Sequence, residues 1–199
     1  MNCKIEGPIS GCGPLSFDQC RTLNDMVDLF LKERRDRGQR EARWWGDQTL
    51  SFERGCQRAL FTLESETTRD AHQWIFSKAD LNAFAKRLGA HEAQLSQATT
   101  FHDLYEAVES ALGIAQNGKP LLVYDIALRL SHRLSLHPTA VYLHRGPRAG
   151  ANALKAGLGA RRTRPLDDFP TSIRTRLTAG QTEDFLCLAR HHLRPELWD

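Results

Sequence analysis

The segment PLLVYDIALRLSHRL, residues Pro120–Leu134, decides the fold class of this chain. Its apolar side chains recur every three or four residues, which is the period of an α-helix with one buried face. They are Val123, Ile126, Ala127, Leu130 and Leu134. Pro120 suits the first turn of such a helix, because the N–H that proline lacks has no intrahelical partner there. The segment therefore predicts an amphipathic α-helix.

Three short motifs predict the starts of further helices. In each, a Ser or Thr precedes an Asp or Gln by three residues, the pattern of a capping box. The motifs are Ser77 to Asp80, Thr100 to Asp103 and Thr178 to Gln181. An apolar face follows each motif, including one over Phe101–Leu112. The same spacing predicts helices over Phe17–Leu31, over residues 52–63 and over Pro147–Leu154.

Strand patterns are scarce in the sequence. Only Thr139–Leu143 alternates in a way that fits a strand, and it fits a turn of helix equally well. We therefore predict an all-α fold with about seven or eight helices and no internal repeat. Residues 1–16 are rich in Gly, Pro and Ser and are expected to form an irregular N-terminal arm. Residues 17–199 are expected to form a single helical domain.

Composition is typical of a folded intracellular protein. Hydrophobic residues make up 41% and charged residues 26% of the sequence, as in ordinary globular domains. No apolar run approaches the roughly 20 residues that span a bilayer, and the first residues lack the pattern of a secretory signal. The five cysteines are scattered, which argues against a disulfide framework. We expect a cytoplasmic protein without a membrane segment.

Metal and cofactor motifs were sought among the cysteines and glycines. Cys3, Cys12 and Cys20 are close in sequence, but zinc motifs usually place ligands in pairs about two to four residues apart, and no such pair is present. The sequence also has no P-loop, Rossmann fingerprint or nucleophile elbow. It therefore predicts neither a metal site nor a cofactor.

The positive charge of the chain is concentrated in residues 126–176. That window has ten basic and two acidic residues, a net charge of +8, whereas the remaining 148 residues sum to −5. Nine of the ten are Arg, whose planar guanidinium forms forked contacts with phosphate. Several flank glycines, where small residues permit close approach of the backbone to a phosphate. The window indicates a surface that binds DNA or RNA.

Binding to an acidic protein partner would also explain the excess of basic residues in 126–176. Arg-rich surfaces also pair with acidic surfaces, either within one chain or on another protein. The sequence therefore supports two hypotheses. The first is a nucleic-acid-binding protein, and the second is a non-catalytic interaction module whose Arg-rich surface binds an acidic protein.

A family resemblance begins in the same helix that decides the fold. The sequence Asp125-Ile126-Ala127-Leu128-Arg129 resembles the helix that carries the catalytic aspartate in helix-hairpin-helix DNA glycosylases, especially those of the alkylpurine type. Upstream, Gly113-Ile114-Ala115 and Gly118-Lys119 resemble a Gly-hydrophobic-Gly hairpin in which Ala115 replaces the second glycine. The resemblance covers about 25 of the 199 residues.

The resemblance implies a function for this helix. Asp125 would assist cleavage of the N-glycosidic bond of a base flipped out of the duplex, and the enzyme would be a DNA N-glycosylase. Lys119 lies near the hairpin, as the lysine of bifunctional members does. Together with the charge window, this gives the residues predicted to bind nucleic acid. They are Lys119, Arg129, Arg133, Arg145, Arg148, Lys155, Arg161, Arg162 and Arg164.

Overall fold

The computed structural model describes residues 15–61, 76–113 and 119–199. These residues divide into two compact units. Unit 1 is Gly38–His137, and unit 2 joins residues 15–37 to Pro138–Asp199. Helix α1, Leu23–Trp45, begins in unit 2 and ends in unit 1. Cys3, Cys12 and most of the predicted N-terminal arm lie outside the described residues. The expectation of a single domain stays a prediction.

The fold is all-α, as the sequence predicts. The described residues form nine α-helices, three short 3-10 helices and one two-stranded antiparallel sheet. After α1 the helices are α2 Phe52–Leu60, α3 Lys78–Ala90, α4 Glu92–Ser96, α5 Phe101–Leu112, α6 Pro120–Leu134, α7 Arg145–Leu154, α8 Thr171–Arg174 and α9 Ala179–Ala189. The sheet pairs β1, Ala140–Tyr142, with β2, Thr163–Pro165, and Tyr142 lies opposite Thr163. The count exceeds the predicted seven or eight because α4 and α8 are only five and four residues long.

Local capping explains where the helices begin. The three predicted capping boxes are present at the starts of α3, α5 and α9, and Pro120 occupies the first turn of α6. A fourth reciprocal pair starts α1: the Asp25 N–H donates to Thr22 Oγ1, and the Thr22 N–H donates to the Asp25 carboxylate. The helix predicted from Phe17 therefore begins at Leu23. Phe17 itself packs in the core of unit 2, with its ring edge against Phe185.

Unit 1 packs α2 against α3 and α6, and α5 against α3 and α6. The predicted apolar faces of α5 and α6 are buried, except for the half-buried Leu134 at the end of α6. Phe101 meets Tyr124 edge to face with ring centroids 5.8 Å apart. Trp45, at the end of α1, is also buried and stacks on His132 of α6 at 5.8 Å. The core of unit 1 is therefore a set of helix–helix contacts closed by one Trp–His stack.

Unit 2 packs α9 against α7 and against β1, with the N-terminal half of α1 in the same core. Phe30 of α1 lies edge-on to Phe185 of α9, with ring centroids 5.6 Å apart. The Arg34 side chain of α1 bonds to the Asp184 carboxylate at 3.0 Å. These contacts join residues about 150 positions apart in sequence, so unit 2 is assembled from both ends of the described chain.

Two glycines of α7 lie directly against α9. A Cβ added to Gly150 would collide with the backbone carbonyl of Leu186, and one added to Gly146 would collide with Cys187 Sγ. The helices therefore approach closely because these positions have no side chain. Gly38, in α1, has nothing within 4 Å of its added Cβ.

The two kinds of glycine give opposite predictions. Gly150→Ala should lower the free energy of unfolding by about 1–3 kcal/mol, because the methyl overpacks the α7–α9 contact. Gly38→Ala should raise it by about 0.5–1 kcal/mol, because alanine loses less backbone entropy in a helix. Urea unfolding of both variants beside the wild type measures this. A neutral or stabilising Gly150→Ala contradicts the close packing.

The half-buried His132 predicts a pH dependence of stability. Burial lowers its pKa below 6.5, an effect that Glu41 opposes and that His137 reinforces. The unfolded chain therefore binds more protons than the folded one just below pH 6.5, so stability should fall as the pH drops through that range. Replacing His132 with Phe, which keeps an aromatic ring against Trp45, should remove this part of the pH dependence.

The measurement is the free energy of unfolding in urea at pH 7.5 and at about pH 5. If His132→Phe has the same pH dependence of unfolding free energy as the wild type, the folded protein does not favour the neutral form of His132.

Candidate nucleic-acid interface

The residues predicted to bind nucleic acid are divided between the two units. Lys119, Arg129 and Arg133 belong to unit 1, together with the predicted catalytic Asp125. The other six belong to unit 2. In unit 1, two of the three basic residues, Arg129 and Arg133, have an internal role.

Arg129 lies inside unit 1. It is 6% exposed, its Nη1 donates to the Ala59 carbonyl at 2.9 Å, and its guanidinium lies 5.1 Å from the centre of the Trp45 ring. It therefore joins α6 to the end of α2 and to Trp45. Its charged group is enclosed by its own unit, and the phosphate contact predicted for Arg129 stays a prediction.

Arg133, one turn further along α6, has a similar role. Its Nη1 donates to the Asp47 carbonyl at 2.6 Å and its Nη2 to the Leu50 carbonyl at 3.0 Å. The same side chain packs against Gly55 of α2. Because its donors bind the segment between α1 and α2, Arg133 is a structural clamp. A phosphate contact by Arg133 also stays a prediction.

Lys119 is exposed at the start of α6. Its Nζ lies 3.8 Å from the centre of the Phe76 ring, a cation–π contact within unit 1. The hairpin that the resemblance places here is only partly described. Helix α5 ends at Gly113 in the left-handed conformation (φ +62°), and residues 114–118 lie outside the described residues. A phosphate contact by Lys119 stays a prediction.

Asp125 is half-buried on α6, between the fully buried Tyr124 and Ile126. Its Oδ2 atom is enclosed within unit 1. A carboxylate that is shielded from water in this way interacts strongly with any nearby charge. Its catalytic role, which comes from the resemblance, stays a prediction.

Arg164 of unit 2 also has internal partners. Its Nε donates to the Leu158 carbonyl at 2.9 Å, its Nη2 to the Gly157 carbonyl at 3.1 Å, and its Nη1 lies 3.3 Å from the Asp168 carboxylate. These bonds connect β2 to the turn that follows α7. Arg164 therefore holds the local backbone, and most of its donors are already used.

The remaining five predicted residues form what we call the basic surface: Arg145, Arg148, Lys155, Arg161 and Arg162. All five are exposed. The first three follow one side of α7, at spacings that place them on a single helix face. The opposite side of α7, with Gly150, Ala151 and Leu154, is buried.

Three contacts bring Arg161 and Arg162 to the same helix. The Leu143 N–H donates to the Arg162 carbonyl at 2.7 Å, two residues before α7 begins. The Gly159 N–H donates to Asn152 Oδ1 of α7 at 2.8 Å, and Gly159 packs against the Arg148 backbone. Residues 159–162 therefore run beside the first turns of α7.

Three arginines of the basic surface differ from the others in the pairing of their side chains. The side chains of Arg145, Arg148 and Arg161 make no hydrogen bond or ion pair with any described residue, whereas those of Arg34, Arg164 and Arg176 each pair with an aspartate. No acidic residue occurs between Asp125 and Asp167 in the sequence. Helix α7 has no acidic residue in its first turn and no side-chain cap, so its positive dipole end adds to the charge.

The glycines of this region do not have the role that the sequence suggests. Residues of α9 fill the space beside the Cα atoms of Gly146 and Gly150. An added Cβ at Gly159 would meet Arg148 and Asn152 within 3 Å. These three positions serve packing within unit 2, so the expectation that they admit a phosphate to the backbone is wrong. The phosphate-binding capacity lies in the exposed side chains instead.

Sequence reasoning missed two residues beside the basic surface. His144, which precedes α7, is 6% exposed, and its Nε2 lies 2.6 Å from Glu183 Oε1 of α9. Trp198 is half-buried near the end of α7, with Lys155 Nζ 4.8 Å from its ring centre. Neither residue belongs to a motif or a periodic face, because both contacts depend on the folding of distant segments.

Comparison of the chain with protein-family models, curated proteins and solved structures finds no match. In the part of the chain that the structure describes, no helix combines the length and apolar character required to cross a bilayer. The arguments for function therefore rest on the residues themselves.

The two classes of arginine predict different effects on stability. Arg129→Met should lower the free energy of unfolding by about 1–3 kcal/mol, because the buried Ala59 carbonyl loses its donor. Arg148→Met, the control on the basic surface, should change it by less than about 0.5 kcal/mol. Urea unfolding followed by circular dichroism measures both. Equal effects of the two substitutions would contradict the distinction between the buried Arg129 and the exposed Arg148.

Proposed function

We propose that the protein binds nucleic acid, and that the basic surface of unit 2 contacts the phosphate backbone. The observation that carries the proposal is the position of Arg145, Arg148 and Arg161. They are three exposed guanidinium groups gathered around the first turns of one helix, without an acidic partner among the described residues. Like charges kept together in this way repel each other, and bound phosphates would relieve that repulsion.

The type of residue favours phosphate as the anion. Arginine presents a planar fork of donors that matches the oxygens of a phosphate. In unit 2 the side-chain donors of Arg145, Arg148 and Arg161 have no partner among the described residues, while Arg164 uses the same fork on carbonyl groups and on Asp168. A row of cations along α7 suits a ligand with regularly repeated charges, as in a nucleic-acid backbone.

The proposal predicts a steep salt dependence of binding. The affinity for duplex DNA should fall with salt, with a log–log slope of about −0.9 for each phosphate neutralised. Replacing both Arg161 and Arg162 with Ala should weaken binding to all sequences alike and should flatten the slope by about 2. Fluorescence anisotropy with labelled DNA and RNA, at several salt concentrations, measures this.

A matched control tests whether position matters and not merely net charge. The double variant Arg174→Ala, Arg176→Ala removes the same two charges from unit 2, but Arg176 already pairs with Asp28 and Arg174 lies on α8. It should change the slope less than the Arg161, Arg162 pair does. Absence of DNA and RNA binding at low salt would remove the proposal, and tight binding to an acidic protein would then favour the interaction-module alternative.

Base excision is a second part of the proposal. Unit 1 contains two packed helices, α5 and α6, joined by a short connection that starts with the left-handed Gly113, and Asp125 lies on the second helix. Two helices joined by a hairpin are the order of a helix-hairpin-helix element, but the family that the chain resembles has about one further helix and a loop between the hairpin and the aspartate. On this reading Asp125 supplies the carboxylate that stabilises positive charge on the sugar as the base departs.

The substitution Asp125→Asn tests the catalytic part. It keeps the shape of the side chain and removes its charge, so release of a damaged base should collapse while affinity for DNA is retained. The assay is release of free base from a panel of lesion-bearing duplexes, with wild type and variant side by side. If the wild type releases no base from any duplex, Asp125 is not catalytic, although the binding proposal stands.

We also propose a cytoplasmic location. Cys20, Cys56 and Cys187 form no disulfide bond with a described residue, as expected in a reducing compartment.

A further inference from the structure

Trp198 lies beside the basic surface of unit 2. It follows the short 3-10 helix Pro195–Leu197, which packs against α7. Lys155, the last residue of the basic row on α7, places its Nζ 4.8 Å from the centre of the indole ring. Part of the indole packs on the core of unit 2, and part of it is exposed. One aromatic ring therefore lies at the end of a row of cations.

An aromatic ring next to a cationic row is the arrangement that single-stranded nucleic acids require. In such sites cations follow the phosphates and an aromatic ring stacks on an unpaired base. A paired base in the middle of a duplex cannot stack in this way, because both of its faces are covered by neighbouring base pairs. A surface that uses phosphate contacts alone has no need of an aromatic ring.

We propose that the basic surface takes single-stranded nucleic acid, and that Trp198 stacks on one of its bases. The inference rests on the proposed function, because it assigns a substrate class to the same surface. Arg145 and Arg148 contact phosphates along α7, and Lys155 moves from the indole to a phosphate next to the stacked base. From Arg145 to Lys155 the helix rises by about 15 Å, so the strand runs along α7 towards Trp198.

The strengths of the competing contacts allow this exchange. An exposed cation–π contact such as that of Lys155 with Trp198 is worth about fivefold or less in an equilibrium constant. Stacking of one base on an aromatic side chain is worth about 5- to 150-fold. A base can therefore displace the lysine from the ring, and the lysine keeps its charge next to the strand.

The experiment compares three ligands of equal length by fluorescence anisotropy. They are a single-stranded oligonucleotide of 12 thymidines, the same strand with all bases removed, and a blunt duplex. The proposal predicts that wild-type protein binds the intact strand at least about fivefold more tightly than the abasic strand, which has the phosphates but no bases. The intact strand should also be bound more tightly than the duplex at the same phosphate concentration.

The substitution Trp198→Leu links this preference to the indole. It should weaken binding of the intact strand by at least about fivefold and leave binding of the abasic strand unchanged. Trp198→Phe keeps an aromatic ring and should restore most of the lost affinity. Circular dichroism of each variant monitors the fold, and the comparison of ligands on the wild type does not depend on any variant.

The outcomes separate the two proposals. Equal affinity of the wild type for intact and abasic strands overturns the stacking inference, and so does a loss in Trp198→Leu that is the same for both strands. In either case the phosphate-binding proposal stands. Failure of all three ligands to bind at low salt removes the proposed function itself, and with it this inference.

Discussion

The close contact between α7 and α9 is the constraint on which the architecture of unit 2 depends. Gly146 and Gly150 allow the helices to approach until backbone meets backbone, and the buried pair of His144 and Glu183 joins the same two elements. With one side of α7 committed to that contact, its other side faces solvent and carries Arg145 and Arg148. The packing that stabilises the unit therefore also determines which charges it displays. A small change at the glycines would move the cationic row as well as the core.

Much of the secondary structure could be predicted from the sequence because it depends on neighbouring residues. The capping boxes at Ser77, Thr100 and Thr178 start helices where expected, and β1 lies within Thr139–Leu143, for which the sequence left strand and helical turn equally open. The division into units could not be predicted, because the Arg34–Asp184 pair and the packing of Phe17 on Phe185 join the two ends of the described chain. The packing role of Gly146, Gly150 and Gly159 could not be predicted for a related reason. A local sequence cannot show whether a phosphate or another helix occupies the space beside a glycine.

A count of charges in the sequence does not distinguish buried arginines from exposed ones. Arg129 and Arg148 contribute equally to the +8 of residues 126–176, yet one is buried against Ala59 and Trp45 and the other is exposed and unpaired among the described residues. One signal was available, since Arg129 follows Ile126 by three residues and Leu122 by seven and thus lies on the apolar face of α6. Arg164 had no such signal, because its carbonyl partners at Gly157 and Leu158 depend on the turn that follows α7. The candidate surface is therefore smaller than the sequence suggested.

The central claim is that the exposed, unpaired arginines of α7 and its neighbouring segment contact nucleic acid. The most direct measurement is nuclear magnetic resonance of the arginine Nε–Hε groups, recorded while an oligonucleotide is added to the full-length protein. The account predicts that the signals of Arg145, Arg148 and Arg161 shift with the bound fraction, while those of the buried Arg129 and the clamped Arg133 stay in place. Shifts confined to Arg129 and Arg133, or no shift of any arginine at saturating oligonucleotide, would contradict it.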